Sequence, residues 1–264
     1  MKPTASRPAR ALTMSELLII VAILLVLAAM LVPVVGPPRE RPTPRAMIEM
    51  SLITAAICDY EAAYGQYPVS ANAVASAAIT SGDFTYGTFG AASKIKYPDG
   101  ALAVIDNAAG NYHANNAEVI AILLDLTNYP NGQPTCNQGH ARNPQHIKFL
   151  NATLTEHLTS PGVGLDGVFR DPWGNPYIVT IDLNQDGKAR DAYYSLPGVS
   201  QDASGGGING LVKTSVGSNT FYELKEPVMV WSAGPDKKIE RPNATGPGNA
   251  SSGANKDNLV SWAH

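Results

Sequence analysis

The longest apolar run of the chain occupies residues 17–35, where Pro33 is the one residue that is not apolar. A helix of that length rises about 28 Å, close to the roughly 30 Å hydrocarbon core of a bilayer. The run therefore predicts a membrane-spanning helix. Lys2, Arg7 and Arg10 precede it, and basic residues hold their end of such a helix in the cytoplasm.

A second helical pattern follows a proline-rich stretch at 36–44, where four prolines predict a break or a sharp kink. From about Arg45 to Gly65, apolar residues recur every three or four positions, as in a helix that packs one face against a sheet. These residues are Met47, Met50, Ile53, Ile57, Tyr60 and Tyr64.

The rest of the chain shows one further clear helical pattern, over 116–126, and a shorter one around 145–150. Alternating and β-branched residues bounded by turn formers predict three strands. The strands are predicted at 177–183, 192–196 and 228–233.

Composition narrows the function classes. Among 264 residues, 19 Lys+Arg stand against 22 Asp+Glu, a net charge of −3, so no nucleic-acid partner is expected. A hydrophobic fraction of 44% excludes an intrinsically disordered acidic chain. The sequence contains no G-x-S-x-G, no H-E-x-x-H and no Walker loop, and no enzymatic activity is predicted.

Three interpretations compete for the start of the chain: a cleavable signal peptide, a plain membrane anchor, and an anchor with a further function. A cleavable signal requires small residues just after the apolar run, whereas Pro33 to Pro38 follow here. Neither of the first two interpretations explains Glu16, because a carboxylate at the edge of a membrane helix is costly unless it is paired.

The segment Ala11-Leu12-Thr13-Met14-Ser15-Glu16, followed by the apolar run, resembles the class III signal of type IV pilins and type II secretion pseudopilins. The resemblance implies that a prepilin peptidase cuts between Ala11 and Leu12 and that the new amine of Leu12 is N-methylated. Thr13 and Glu16 then become the second and fifth mature residues. Pro33 falls where the family often has a helix-loosening proline.

This resemblance also implies an assembly mechanism. Glu16 of one subunit would pair with the Leu12 amine of its neighbour, so that two costly charges become one neutral pair as the helices form a filament. The family organisation would then be a leader at 1–11, a transmembrane and assembly helix at 12–35, a proline-rich hinge at 36–44 and a globular head at 45–264.

A second segment, Asp171-Pro172-Trp173-Gly174-Asn175-Pro176-Tyr177, resembles the same motif in G-class major pseudopilins. The family implies a pilin-like α+β fold, in which a long N-terminal helix, broken near 36–44, packs on a small antiparallel C-terminal sheet with long loops. It also implies a single-pass inner-membrane location, with the N-terminus cytoplasmic and the head periplasmic or extracellular.

The function expected from these resemblances is a structural subunit of a type II secretion-like pseudopilus. Its partners would be further copies of itself in a helical filament, other pseudopilins, the prepilin peptidase and an inner-membrane assembly platform. A major or minor type IV pilus fibre subunit is the alternative within the family. An alternative of another class is a membrane-anchored, calcium-dependent binding module.

Calcium is expected at one of two loops. Asp182, Asn184 and Asp186 occupy positions 1, 3 and 5 of a calcium-loop pattern, with Gly187 at position 6. Asp191 could complete the ligand set, because Tyr193 stands where an EF-hand has its glutamate. The alternative interpretation of this segment is a polar hairpin turn.

The second candidate loop rests on the pseudopilin resemblance. Val230-Trp231-Ser232-Ala233-Gly234-Pro235-Asp236 resembles the strand and turn before the family's calcium loop. The resemblance implies that Asp236 and Asp257 are calcium ligands there. The alternative is a flexible solvated loop.

The chain contains two cysteines and five histidines. Cys58 and Cys136 could form a disulfide outside the cytoplasm, although Cys58 equally suits a small buried apolar position. The histidines lack tight zinc spacing. His140 and His146 lie in a proline-rich stretch, which favours surface positions over ligand roles.

Overall fold

The structure is a computed structural model that describes residues 13–35, 42–80, 82–87, 94–105 and 112–263. The chain divides into two compact units, Met1–Arg41 and Pro42–His264. We describe each unit by itself.

The first unit contains one described helix, α1 (Met14–Val35). Within the part of the chain that the structure describes, no helix is both long and apolar enough to cross a membrane. This finding corrects the predicted membrane span and the single-pass inner-membrane location that followed from it.

The predicted long N-terminal helix packed on a sheet is also wrong. Two helices, α1 and α2 (Pro42–Tyr64), stand in separate units, and within the second unit the sheet packs against α2. Helix α2 begins at Pro42 rather than near Arg45 because proline fits the first turn, where its missing N–H is not needed. Residues 36–41 of the predicted hinge lie outside the described residues.

Over its described residues, the second unit combines four helices with eight short strands. The five ladders that join these strands are antiparallel. After α2 come α3 (Ala71–Ile79), β1 (Asp83–Tyr86), α4 (Ala117–Leu123), β2 (Gly162–Val163), β3 (Phe169–Arg170), β4 (Ile178–Asp182), α5 (Pro197–Ser200), β5 (Val212–Val216), β6 (Asn219–Glu223), β7 (Val228–Ser232) and β8 (Leu259–Val260).

The central sheet has the strand order β1-β4-β7-β8, and β2-β3 and β5-β6 form two small ribbons. Successive side chains of a strand point to opposite faces of its sheet. Because every residue of β4 and β7 is buried, both faces of the central sheet are covered. One face packs Val179, Ile181 and Val230 against the apolar stripe of α2. The other face packs Ile178 and Trp231 into a cluster rich in tyrosine and tryptophan.

Several element predictions are confirmed. Strands β4 and β7 lie within the predicted 177–183 and 228–233, and α4 lies within 116–126. The predicted strand at 192–196 is wrong, because the Asp191 side chain takes the backbone N–H groups of Tyr193 and Tyr194 and forms a turn.

The predicted short helix around 145–150 is wrong as well. The backbone N–H groups of Phe149 and Leu150 both donate to the carbonyl of Leu123 at the end of α4. The N–H of Ile147 donates to the side chain of Asn143. These bonds to other segments replace the intrahelical bonds that a helix would need.

Candidate functional site

The start of α1 is a capping box. The Glu16 Oε2 atom accepts hydrogen bonds from the Thr13 N–H and the Thr13 hydroxyl, both at 2.9 Å, and the Glu16 N–H approaches Thr13 Oγ1 at 3.4 Å. The T-x-x-E spacing is the sequence signature of this motif. Ala11 and Leu12, the predicted cleavage and methylation positions, lie outside the described residues, as does the side chain of Pro33.

The capping bonds favour the ionised form of Glu16. The Thr13 N–H, and then the Thr13 hydroxyl, lower the pKa of this carboxyl below its usual value. A negative charge at this position also complements the positive end of the helix dipole. Glu16 is thus a charged, exposed group at the start of an apolar helix.

The segment that resembles the pseudopilin motif is a buried turn held by Asp171. Its carboxylate accepts the N–H groups of Trp173 and Asn175, the Asn175 amide and the Ser232 hydroxyl. Gly174 has φ +86°, and a side chain there would collide with the Thr159 carbonyl. The residues that carry the resemblance therefore have a structural role, joining the β3–β4 connection to β7.

The first predicted calcium loop is a tight polar turn whose side-chain oxygens are already engaged. Asp182 accepts the N–H groups of Gln185 at 2.7 Å and Gly187 at 2.8 Å. Asn184 accepts the N–H of Asp186, and Asp186 accepts that of Lys188. Local bonds of this kind build a turn without any ion.

Asp191, the predicted fourth ligand, is a buried core carboxylate. One oxygen accepts the N–H groups of Tyr193 and Tyr194, at 2.9 and 2.7 Å. The other accepts the Thr180 hydroxyl at 2.7 Å and the Trp231 indole N–H at 3.1 Å. Four donors occupy both oxygens, so Asp191 is engaged in the core and is not free to complete the ligand set of this loop.

In the second predicted calcium loop, the Asp257 side chain lies against the backbone of Asp236. The Asp236 N–H approaches Asp257 Oδ2 at 3.3 Å. Gly234 has φ +66°, and a side chain there would meet the Asp257 carbonyl oxygen, so the backbone approaches closely at this point. Burial, and then the charge of Asp257, raise the pKa of Asp236, whereas the Lys238 N–H lowers it.

The two cysteines are free thiols. Cys58 is exposed on α2 and Cys136 is half-buried, where its thiol lies 3.7 Å from the Glu118 carbonyl. Burial, and then the charge of Glu118, raise the pKa of Cys136 to about 12. At neutral pH this thiol is therefore protonated and unreactive.

A cluster that the sequence did not reveal joins Asp125, His140 and His146. The His140 Nδ1 atom lies 2.7 Å from Asp125 Oδ1, and His146 Nδ1 lies 3.5 Å from Asp125 Oδ2. The sequence favours surface positions without ligand roles for both histidines. Their shared contact with Asp125 was not predicted, because the spacing along the chain does not show it.

Comparison with known protein families, curated proteins and solved structures finds no match for this chain. The pseudopilin resemblance therefore rests on three segments of the sequence: 11–16 with its apolar run, 171–177 and 230–236. Function has to be argued from the exposed surface of α1 and from the charged clusters of the second unit.

Proposed function

We propose that this protein is a structural subunit of a filament similar to a type II secretion pseudopilus, and that copies associate through α1. The observation that carries this proposal is the exposure of α1. All described side chains from Thr13 to Leu24 are exposed, and the large apolar ones among them retain 45–78% of their surface.

Burial of this exposed apolar helix against a partner would contribute a large favourable free energy of association. Full burial of one leucine or isoleucine side chain contributes about 1.5–3 kcal/mol, and α1 carries many such side chains in succession. An exposed apolar surface of this kind is typical of an interaction site. Identical helices from neighbouring copies are the occupants to which the proposal commits, because a parallel bundle buries every copy in the same way.

Glu16 has a second role in this proposal besides capping. After removal of the leader by a prepilin peptidase, the amine of Leu12 in one copy would pair with Glu16 of the next. Both described hydrogen bonds of the Glu16 side chain end on Oε2, so the other oxygen can accept from a neighbouring amine. Charge pairing of this kind sets the register between helices.

The test separates capping from charge pairing. The full chain is expressed with a prepilin peptidase, as wild type, Glu16→Gln and Glu16→Ala. Gln at this position keeps the capping box but removes the charge. We expect a mature wild-type chain beginning at Leu12 that forms filaments, and folded but unassembled protein for both variants. Assembly is read by negative-stain electron microscopy and sedimentation, the mature start by N-terminal sequencing and folding by circular dichroism.

A matched pair of lysine substitutions tests whether copies associate through the apolar surface of α1. Leu18 on α1 and Ile48 on α2 are similarly exposed, at 67% and 60%. Leu18→Lys is expected to abolish filaments, whereas Ile48→Lys leaves them intact. Filaments of Glu16→Gln indistinguishable from wild type would refute charge pairing, and filaments of Leu18→Lys would refute assembly through α1.

We also propose that calcium binds at the second loop, held by the carboxylates of Asp236 and Asp257 together with backbone carbonyl oxygens. Carboxylate and carbonyl oxygens are the ligands that calcium prefers, and the ion would relieve the repulsion between the two acids. Lysines at positions 94, 96, 237 and 238 line the neighbouring cavity of about 490 Å³. Because their charge opposes a cation, we expect millimolar affinity.

Calcium at about ten times its dissociation constant should stabilise the fold by about 1.4 kcal/mol. For a unit of this size that corresponds to a rise of about 3–5 °C in the thermal midpoint. Asp257→Asn should remove the rise, and Asp186→Asn, in the first loop, should retain it. Calorimetry with and without chelator measures both, and an equal rise in Asp257→Asn would place the ion elsewhere.

A further inference from the structure

The cluster of Asp125, His140 and His146 gathers two imidazoles on one carboxylate. The candidate ligand atoms all lie within 4.8 Å of one another, and the two imidazole rings are 3.7 Å apart between centroids. In a tetrahedral zinc site with bonds of about 2.0–2.1 Å, ligand atoms lie about 3.3 Å apart. The His140 Nδ1 atom lies 2.7 Å from Asp125 Oδ1 and the His146 Nδ1 atom lies 3.5 Å from Asp125 Oδ2, so both imidazoles stand near that spacing from one carboxylate.

The backbone holds all three residues in an unusual conformation. Asp125, His140 and His146 have φ of 56°, 57° and 57°, and they make up half of the six non-glycine residues with positive φ in the described part of the chain. Such conformations cost of order 1 kcal/mol or more each and tend to occur at functional sites. Here these backbone conformations direct the side chains of three separate turns toward one point.

Two fully buried asparagines build the frame around the cluster. Asn137 donates to Asp125 Oδ1 at 3.1 Å, and its own Oδ1 accepts the N–H groups of Arg142 and Asn143. The N–H groups of His140 and His146 donate to the carbonyls of Asn137 and Asn143. A hydrogen bond that orients a ligating carboxylate is typical of the outer shell of a metal site.

The frame is in turn anchored to α2. The Tyr64 hydroxyl donates to Asn143 Oδ1 at 2.6 Å, and the Tyr60 hydroxyl donates to the Arg142 carbonyl. Asn143 also donates to the carbonyls of Ile122 and Ile147. The two histidine turns are therefore fixed by core contacts and do not depend on the cluster itself for their position.

We propose that Asp125, His140 and His146 bind one zinc ion. Two imidazole nitrogens and one carboxylate oxygen are a ligand set that zinc accepts, with the fourth position open to water. The side chains of Asp125, His140 and His146 are 15%, 30% and 58% exposed, so the site is open to solvent on the His146 side. This site does not rest on the proposed filament role.

The ion would tie the end of α4 to the loop that follows it. Asp125 lies just after α4, and the two histidines lie on a loop that packs against α2 through the tyrosine contacts. Zinc would thus add a cross-link between two segments that already meet in the core, and its binding would appear as added stability of the second unit.

The experiment uses the purified full chain, zinc chloride and isothermal titration calorimetry, with bound metal counted by mass spectrometry after dialysis. We expect one equivalent of zinc in the wild type. His146→Ala, at the most exposed ligand, should weaken binding by more than the roughly 10–100-fold that loss of an outer-shell partner costs. His157→Ala is the matched control, because His157 is exposed and lies outside the cluster, and it should bind as the wild type does.

Cobalt substitution identifies the ligands independently. Cobalt bound by two nitrogens and one oxygen absorbs in the visible range but lacks the intense near-ultraviolet band that a thiolate ligand gives. The absorption spectrum therefore distinguishes binding at the cluster from binding at the exposed Cys58 thiol. Cys58→Ser should leave binding unchanged. Zinc binding that survives His146→Ala, that disappears in Cys58→Ser, or that is absent from the wild type would overturn the proposal. Circular dichroism confirms that His146→Ala is folded.

Discussion

Asp191→Ala is expected to lower the free energy of unfolding by about 4 kcal/mol or more. The substitution leaves four buried donors without an acceptor: two backbone N–H groups, the Thr180 hydroxyl and the Trp231 indole N–H. Each buried donor left unsatisfied costs about 1–3 kcal/mol, and the four effects are not fully additive. Urea unfolding followed by circular dichroism measures the loss.

The control for Asp191 is its neighbour in the first predicted calcium loop. Asp186 is exposed and accepts the Lys188 N–H, so Asp186→Ala should change stability by no more than about 0.5 kcal/mol. If Asp191 and Asp186 instead bound a shared ion, both variants would lose stability, and they would lose it only when calcium is present. A calcium-dependent loss in both would contradict the structural role assigned to Asp191.

The second large effect is a pH dependence that arises at Asp83. This carboxyl is buried in β1, directly across from Asp182 in β4, and accepts the Arg190 N–H at 2.6 Å. Its pKa is raised from 3.8 to about 8: burial is the main cause, the Arg190 N–H opposes it, and the charges of Asp182 and Asp186 add to the rise.

A raised pKa means that the folded state holds a proton that the unfolded state releases. The stabilisation from that proton is complete below about pH 4 and is lost progressively as the pH rises toward about 8. One pKa unit corresponds to about 1.4 kcal/mol, so Asp83 should reduce stability by about 1 kcal/mol per pH unit inside this window.

Asp83→Asn removes the titration and keeps an oxygen that can accept the Arg190 N–H. Urea unfolding of wild type and Asp83→Asn at pH 5, 6, 7 and 8 should show the advantage of the variant growing with pH. Asp171, whose pKa is also raised, titrates in both proteins, so the difference between them reports on Asp83 together with its charge coupling to Asp182. Parallel curves over this range would show that Asp83 ionises normally.

The parts of the fold that the sequence predicts are those decided by local patterns. Strands β4 and β7 alternate between two apolar faces, and α4 carries an apolar repeat, so their positions follow from side-chain periodicity. The strand predicted at 192–196 fails because the Asp191 carboxylate competes for the backbone N–H groups of that segment, and periodicity does not register such side-chain competition.

The candidate sites divide in the same way. The capping box of Thr13 and Glu16 is readable from T-x-x-E spacing, although the pseudopilin resemblance gave Glu16 a different role. The meeting of Asp125 with two histidines requires three left-handed backbone positions and a frame of two buried asparagines. Neither requirement follows from spacing along the chain, and only the folded structure places the three side chains together.

The strand order β1-β4-β7-β8 also has a consequence for how the second unit comes to be folded. Strand β1 ends at Tyr86, but its partner β4 begins at Ile178, and β8 at Leu259 closes the far edge. During synthesis, β1 and the apolar stripe of α2 must therefore wait for about ninety further residues before they have a sheet to join. Pairings so distant along the chain slow folding, and the apolar surfaces of α2 and β1 stay uncovered during that interval, which favours aggregation of the nascent chain.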